Sequence, residues 1–296
     1  MPTTETPAPV AIGHVLAGPR TGSRATLGAD NIFITGARGK TNLARVLAAE
    51  FTRRPATRVI VATPQPFRTE YGNLLSDAQF IPLGLSRTPD GLGEILRTFI
   101  DRANALTRQH LLGTPLDPEW TRLVVIIDVP ALHSPPIQVM LTSLAAMASS
   151  VDAQIVMLMS PRQMNAYGPV ATALIDNFPH RVITQPHRLY PEDLAGLILG
   201  LLGSSRDQMP TWLPDLPGLA LAFNRAQPAP EMIQVSLGPV MFAPQQEEEG
   251  DAAIDVATVV EAAGPGGAGA GAVPGRRDGA PGLLHRLLTA VRNGRR

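Results

Sequence analysis

The sequence predicts an α/β fold, a mostly parallel sheet with helices on both faces. Three observations predict it. Short, almost unbroken apolar runs such as Leu123–Ile127 recur from residue 31 onward. Strands that are apolar on both faces belong to sheets covered on both sides, as parallel sheets are. These runs alternate with longer stretches of helical periodicity as far as about residue 203. One run, Asn31–Ile34, leads through a glycine-bearing turn into the stripe Leu43, Val46, Leu47 and Phe51, which is apolar at helical spacing.

Residues 1–30 are rich in Pro, Thr and Gly and predict a loose lead-in with one short strand near 10–13. Strands are expected at 31–35, 58–62, 79–83, 122–128, 153–159 and 181–184. Helices are expected at 40–53, 91–109, 135–149, 169–177 and 191–202. Two further strands, 219–223 and 232–237, complete a domain spanning 31–242. The composition then changes. An acidic stretch opens at Glu247, and residues 264–275 are Gly-, Ala- and Pro-rich, so 243–280 are expected to be a disordered linker. At 281–296, Leu283, Leu284, Leu287, Leu288 and Val291 share one helical stripe flanked by arginines, which predicts a basic amphipathic helix. A partner protein is the expected occupant of that helix.

Composition excludes several classes. The chain has no cysteine, which removes disulfides, zinc–thiolate sites and thiol catalysis. Its formal net charge is zero, so any nucleic-acid surface has to be local. No apolar run approaches the ~20 residues of a membrane span, and no signal peptide opens the chain, so a cytoplasmic protein without an integral membrane segment is expected. The six histidines include no pair at the i, i+4 spacing of a helical zinc site. Of them, His133 lies five residues after Asp128 and is the one candidate for a catalytic role.

Basic residues number 25, and Lys40 is the only lysine among them. A lysine ammonium is a compact point charge, and an arginine fork does not replace it at a phosphate. Lys40 lies in Gly36-Ala37-Arg38-Gly39-Lys40-Thr41-Asn42, between the strand and the helix. Backbone N–H groups at such a helix start face phosphate oxygens, Lys40 reaches the β- and γ-phosphates, and the Thr41 hydroxyl ligates Mg²⁺. The loop is two residues shorter than GxxxxGK[ST]. Residues 36–42 are therefore the predicted nucleotide loop, with ATP and Mg²⁺ as ligands. Downstream, Leu123–Asp128 is an apolar strand ending in an acid. A carboxylate there sits in the crevice beyond the strand ends, and Asp128 is the second predicted metal ligand beside Thr41. The residues after it are Val129 and Pro130, so no carboxylate follows to polarise an attacking water.

The order of these elements resembles the FtsK/SpoIIIE and HerA family of DNA-pumping P-loop ATPases. The resemblance spans about residues 30–237 and rests on Gly36–Asn42, Val59–Pro64, Ile127–Leu132, Val156–Arg162 and Ala173–Ile183, whose Asn177, Pro179 and Arg181 match an Asn-x-Pro-x-Arg pattern. Arg68-Thr69-Glu70-Tyr71 also resembles the Lys-Gly-Glu-Tyr turn of HerA-type members. It implies a RecA-like fold, ATP with Mg²⁺, a homo-oligomeric ring and double-stranded DNA as partner. The departures fall on hydrolysis. Val129 stands where the family has glutamate, Pro161 where it has a sensor glutamine, and Leu144–Ser150 carries no arginine finger. The expectation is a nucleotide-binding relative whose hydrolysis is weak or lost, or a non-catalytic pseudo-ATPase scaffold. The short Ile-Thr-Gly-x-x-Gly-Lys-Thr loop is also similar to that of Mur ligases, but the chain has no second lysine for their metal site and is too short for their three domains.

Overall fold

A computed structural model describes residues 8–64, 68, 70–71, 74–76, 79–83, 90–117, 119–128, 135–167, 169–190, 194, 196–197, 213–225 and 227–236. All lie within the unit Met1–Met241; the linker and terminal helix expected at 243–296 lie outside the described residues. The strands are β1 (Val10–Ala17), β2 (Arg24–Leu27), β3 (Ile32–Gly36), β4 (Thr57–Pro64), β5 (Phe80–Leu83), β6 (Arg122–Asp128), β7 (Ala153–Leu158), β8 (His180–Thr184), β9 (Leu219–Asn224) and β10 (Gln227–Val235). The helices are α1 (Lys40–Thr52), α2 (Asp90–Leu112), α3 (Pro135–Met147), α4 (Pro161–Tyr167) and α5 (Pro169–Ile175).

The strands form one sheet in the order β2-β1-β10-β9-β8-β3-β7-β6-β4-β5. From β8 to β5 every neighbouring pair is parallel. From β8 back through β9, β10 and β1 to β2 every pair is antiparallel. The parallel block needs crossover helices, and the period-2 pleat distributes its side chains between them. Ile32, Ile34, Val59, Val61, Val124 and Ile126 share a core cluster with Leu43, Leu47 and Phe51 of α1. The alternate residues, among them Phe33, Ile60, Val125 and Ile155, join a cluster with Phe99 of α2, Leu141 of α3 and Leu174 of α5. Strands β3, β4, β6, β7 and β8 are buried on both faces, which is why their sequences read as nearly unbroken apolar runs.

The expected elements of the parallel block coincide with observed ones. Three features differ. The lead-in holds two strands, and β1 extends to Ala17; its Val10, Ile12 and Val15 are buried by pairing between β2 and β10. Cross-strand pairing outweighs the turn-forming composition. Strand β10 begins at Gln227, five residues before its expected start, despite Pro228 and Pro230. Helix α4 is an element that apolar periodicity does not predict. Its start carries a capping box, since the Ser160 N–H donates to Gln163 Oε1 at 2.6 Å and the Gln163 N–H to Ser160 Oγ at 3.2 Å. Of the helix expected at 191–202, residues 194, 196 and 197 are described and are helical.

Asn31 ties the lower end of the sheet together. Its Nδ2 donates to the carbonyls of Ala145 (2.9 Å) and Asn177 (3.1 Å), and its Oδ1 accepts from the Ile155 N–H at 2.8 Å. These bonds set the start of β3 against β7 and the ends of α3 and α5. The opposite end of β3 is thereby held where the glycine turn begins.

Candidate functional site

Strand β3 ends at Gly36, whose neighbour across the ladder is Thr184 of β8. Gly36 has φ of +137°, and a Cβ there would lie 2.2 Å from the Thr184 carbonyl oxygen. Only glycine fits both the dihedral and the approach. Thr184 holds the turn a second time. Its Oγ1 donates to the carbonyls of Arg38 at 2.6 Å and Thr35 at 3.2 Å. The turn then reaches Gly39, the N-cap of α1, with φ of +82°. Gly39 offers no side chain to cap the helix, and the first turn carries no acid. The N–H groups at positions 40–42 therefore have no partner within the helix and carry the positive end of its dipole.

Lys40 opens α1 and folds back over the turn, where its Nζ donates to the Gly36 carbonyl at 3.0 Å. Burial lowers its affinity for a proton, and the nearby charge of Asp128 works in the opposite direction. Asp128 ends β6, two strands away across β7. Its carboxyl is pushed up to about 6, first by burial and then by the charge of Glu70; Lys40 and a hydrogen bond with Thr41 oppose the shift. Gly36, Gly39, Lys40, Thr41 and Asp128 are thus brought to one place. Ala37 is half-buried within the turn, while Arg38 and Asn42 turn their side chains to solvent. Thr41 and Asp128 supply the hard oxygen donors that Mg²⁺ takes, so the donor set fits that ion. Among the described residues no cluster of three or more His, Cys, Asp or Glu forms a separate metal site.

Other predicted positions are placed differently. His133, Val129 and Pro130 lie outside the described residues. Pro161 is the first residue of α4, immediately after Ser160. Leu144–Ser150 spans the end of α3 and a 3₁₀ turn, and its Ala145 carbonyl meets Asn31 at the opposite end of β3 from the turn.

Sequence reasoning missed Thr184 altogether. Its contacts join residues 146 and 149 positions apart, and nothing local to it signals them. Gln185, the next residue, is a non-glycine in the left-handed region at φ of +46°, beside Gly39. Tyr71 is fully buried against α1 and packs edge-on against Phe80 with ring centroids 6.4 Å apart. Burial raises its hydroxyl well above the ordinary tyrosine range, with Asp128 and then Glu70 adding to the shift and Arg45 opposing it.

No protein-family model and no curated protein matches the chain. Solved structures do. A two-ATPase fragment of EssC from Geobacillus thermodenitrificans superposes with a TM-score of 0.59 at 14% identity, covering 79% of this chain and 45% of that one. The corresponding EccC fragment from Thermomonospora curvata, in complex with a signal sequence peptide, gives 0.50 at 17%, covering 78% and 41%. VirB4 of Thermoanaerobacter pseudethanolicus gives 0.50 at 12%, covering 79% and 98%. This chain spans less than half the length of the EssC and EccC chains. At these identities the likeness is one of fold. With the sheet order described above, it shows that the described unit shares the mixed α/β fold of these ATPase structures.

Proposed function

We propose that the chain is an FtsK/HerA-related protein that binds ATP with Mg²⁺ at the β3–α1 turn and hydrolyses it weakly. The carrying observation is the convergence of Lys40, held on the turn at Gly36, with Thr41 and Asp128, whose carboxyl feels both of them. In this reading the N–H groups of residues 36–42 and the Lys40 ammonium hold the phosphates, and the Thr41 hydroxyl and Asp128 hold the metal. Bound Mg²⁺ would neutralise the charge that develops on the phosphates. The Lys40–Gly36 contact is one that a phosphate oxygen can replace, since both are oxygen acceptors for the same ammonium.

Weak turnover follows from Val129, an apolar residue where a carboxylate would orient water. Double-stranded DNA, a homo-oligomeric ring and a protein partner at the 281–296 helix complete the proposal, on the family resemblance and the charge-sorted tail. The EccC neighbour, seen with a signal sequence peptide, makes a peptide the first partner to try. No helix among the described residues is long and apolar enough to cross a membrane.

The deciding experiment is a thermal melt with and without ATP–Mg²⁺. A ligand at about a hundred times its Kd adds roughly 2.7 kcal/mol to stability. Stabilisation that disappears in Lys40→Ala supports the proposal. An unchanged melt in the wild type refutes it and leaves the non-catalytic scaffold.

A further inference from the structure

Helix α2 buries one face, with Leu92, Ile95 and Phe99 in the core, and leaves the opposite face open. On the open face Asp101, Ala105, Arg108 and Leu112 follow one another at i, i+4, i+7 and i+11, the spacing of a single helical stripe. Leu111 and Leu112 are 71% and 75% exposed. Beside the stripe lies a cavity of about 470 Å³. Its walls are Thr98, Asp101, Ala105 and Arg108 of the helix and Leu116 and Trp120 of the segment before β6. The inner wall is firmly held. Arg102 donates through Nε to the Val151 carbonyl at 2.8 Å and through Nη2 to the carbonyls of Thr121 (3.0 Å) and Asp152 (3.1 Å). Its guanidinium lies 4.0 Å from the centre of the Trp120 ring, whose Nε1 donates to Asp152 Oδ2 at 3.1 Å. Asp101 and Arg108, by contrast, have no hydrogen bond or ion pair among the described residues. Exposed apolar side chains beside a preformed groove mark an interaction surface.

We propose that this face of α2 is a two-fold interface with a second copy of the chain, the two α2 helices lying antiparallel in one another's grooves. The charges select that occupant. Arg58, Arg102 and Arg108 line the cavity together with Asp101, Asp117 and Glu119, so a ligand of one sign, nucleic acid included, meets as much repulsion as attraction. A surface that carries both signs is suited to itself. An isologous contact brings the same patch from both protomers together, so each unpaired charge must find its opposite within that patch. Asp101 and Arg108 meet this condition. With the axis between Asn104 and Ala105, Asp101 lies opposite the partner's Arg108, and Arg108 opposite the partner's Asp101. The same register carries Leu111 to the partner's Thr98, which lines the groove, so the exposed leucines of each copy are covered by the other. Ala105, small and central, allows the helices to approach. The interface closes after two copies and is separate from the head-to-tail contacts of a ring. The cavity reaches Leu123, at the start of β6, whereas Asp128 ends that strand, so the inference stands apart from the nucleotide reading.

The test is the mass in solution of the full chain over a concentration series, followed by light scattering without nucleotide. The wild type should associate, and dilution should return it to the 31.4 kDa of one chain. Asp101→Arg and Arg108→Asp should each weaken association roughly tenfold or more, because each sets like charges face to face twice in every pair. An equal mixture of the two variants should associate like the wild type, since every contact in the mixed pair again joins opposite signs. Both residues are exposed, so each variant should melt as the wild type does. A second measurement needs no charge reversal. The chain has no cysteine, so Ala105→Cys places a single thiol beside the axis, and a short bismaleimide should join two copies through it. A wild type that stays monomeric at its highest soluble concentration overturns the proposal. Association that survives either reversal, a mixture that does not restore it, or the absence of the Ala105→Cys cross-link overturns it as well.

Discussion

The ammonium of Lys40 donates to the carbonyl oxygen of Gly36 at 3.0 Å, closing the β3–α1 turn on itself. One hydrogen bond thus joins the chain's single lysine to the glycine that its strand cannot replace.

Lys40→Arg should fail almost as completely as Lys40→Ala in nucleotide binding. A guanidinium adds volume and a planar fork at a half-buried position shaped for a point charge. The measurement is the melting shift with ATP–Mg²⁺, expected to vanish in both variants while the melting temperature without nucleotide changes little.

Gly36→Ala should destabilise the whole unit, since it combines a left-handed φ with a Cβ 2.2 Å from the Thr184 carbonyl. Strain in that region alone costs about 1–3 kcal/mol, and displacement of β8 adds to it. Urea unfolding should show a loss of at least ~2 kcal/mol. Thr184→Val, which keeps the backbone and removes the hydroxyl bonds to Arg38 and Thr35, should cost less in stability and weaken nucleotide binding more.

Asp128→Asn should stabilise the protein in the absence of ligand at neutral pH. The carboxyl stands at about 6 against an ordinary 3.8, so the folded state holds its proton more tightly than the unfolded state does. Stability from this group is complete below pH ~4 and is lost as pH rises through about 6. A shift of two units corresponds to about 3 kcal/mol. The variant and the wild type should therefore unfold alike at pH 4. At pH 7 the variant should be the more stable by about 1–3 kcal/mol, with its Mg²⁺-dependent nucleotide binding lost.

His180 should give the opposite slope. It is buried in β8, accepts a hydrogen bond from the Gly28 N–H at 3.0 Å through Nε2, and is held below the ordinary 6.5 by burial, with Asp30 opposing. Its contribution is complete above pH ~6.5 and is lost as pH falls toward its folded value, because the unfolded state binds the proton first. His180→Gln keeps an acceptor and removes the titration. The stability difference between wild type and this variant should shrink from pH 7 to pH 5, measured by denaturant midpoints.

Much of the parallel block was legible because its strands are buried on both faces. Leu123–Ile127 and Ile155–Leu158 could be read as strands because nothing polar is tolerated on either side of them. The turn at 36–42 was legible because glycine, lysine and threonine are required there by local geometry and charge. Helix α4 was open to the same reasoning, since Ser160, Pro161 and Gln163 spell a capped helix start that apolar periodicity does not reveal.

The sequence by itself determined the alternating architecture, the glycine turn and the aspartate at a strand's end, because each depends on residues near one another along the chain. Tertiary structure alone decided which distant residues complete them. The order β8-β3-β7-β6-β4 sets Thr184 against Gly36, brings Asp128 to Thr41, and lays the end of β4 beside the aspartate's strand. Strand order arises from which apolar faces bury best against one another, a property of the whole sheet. No window of sequence contains it.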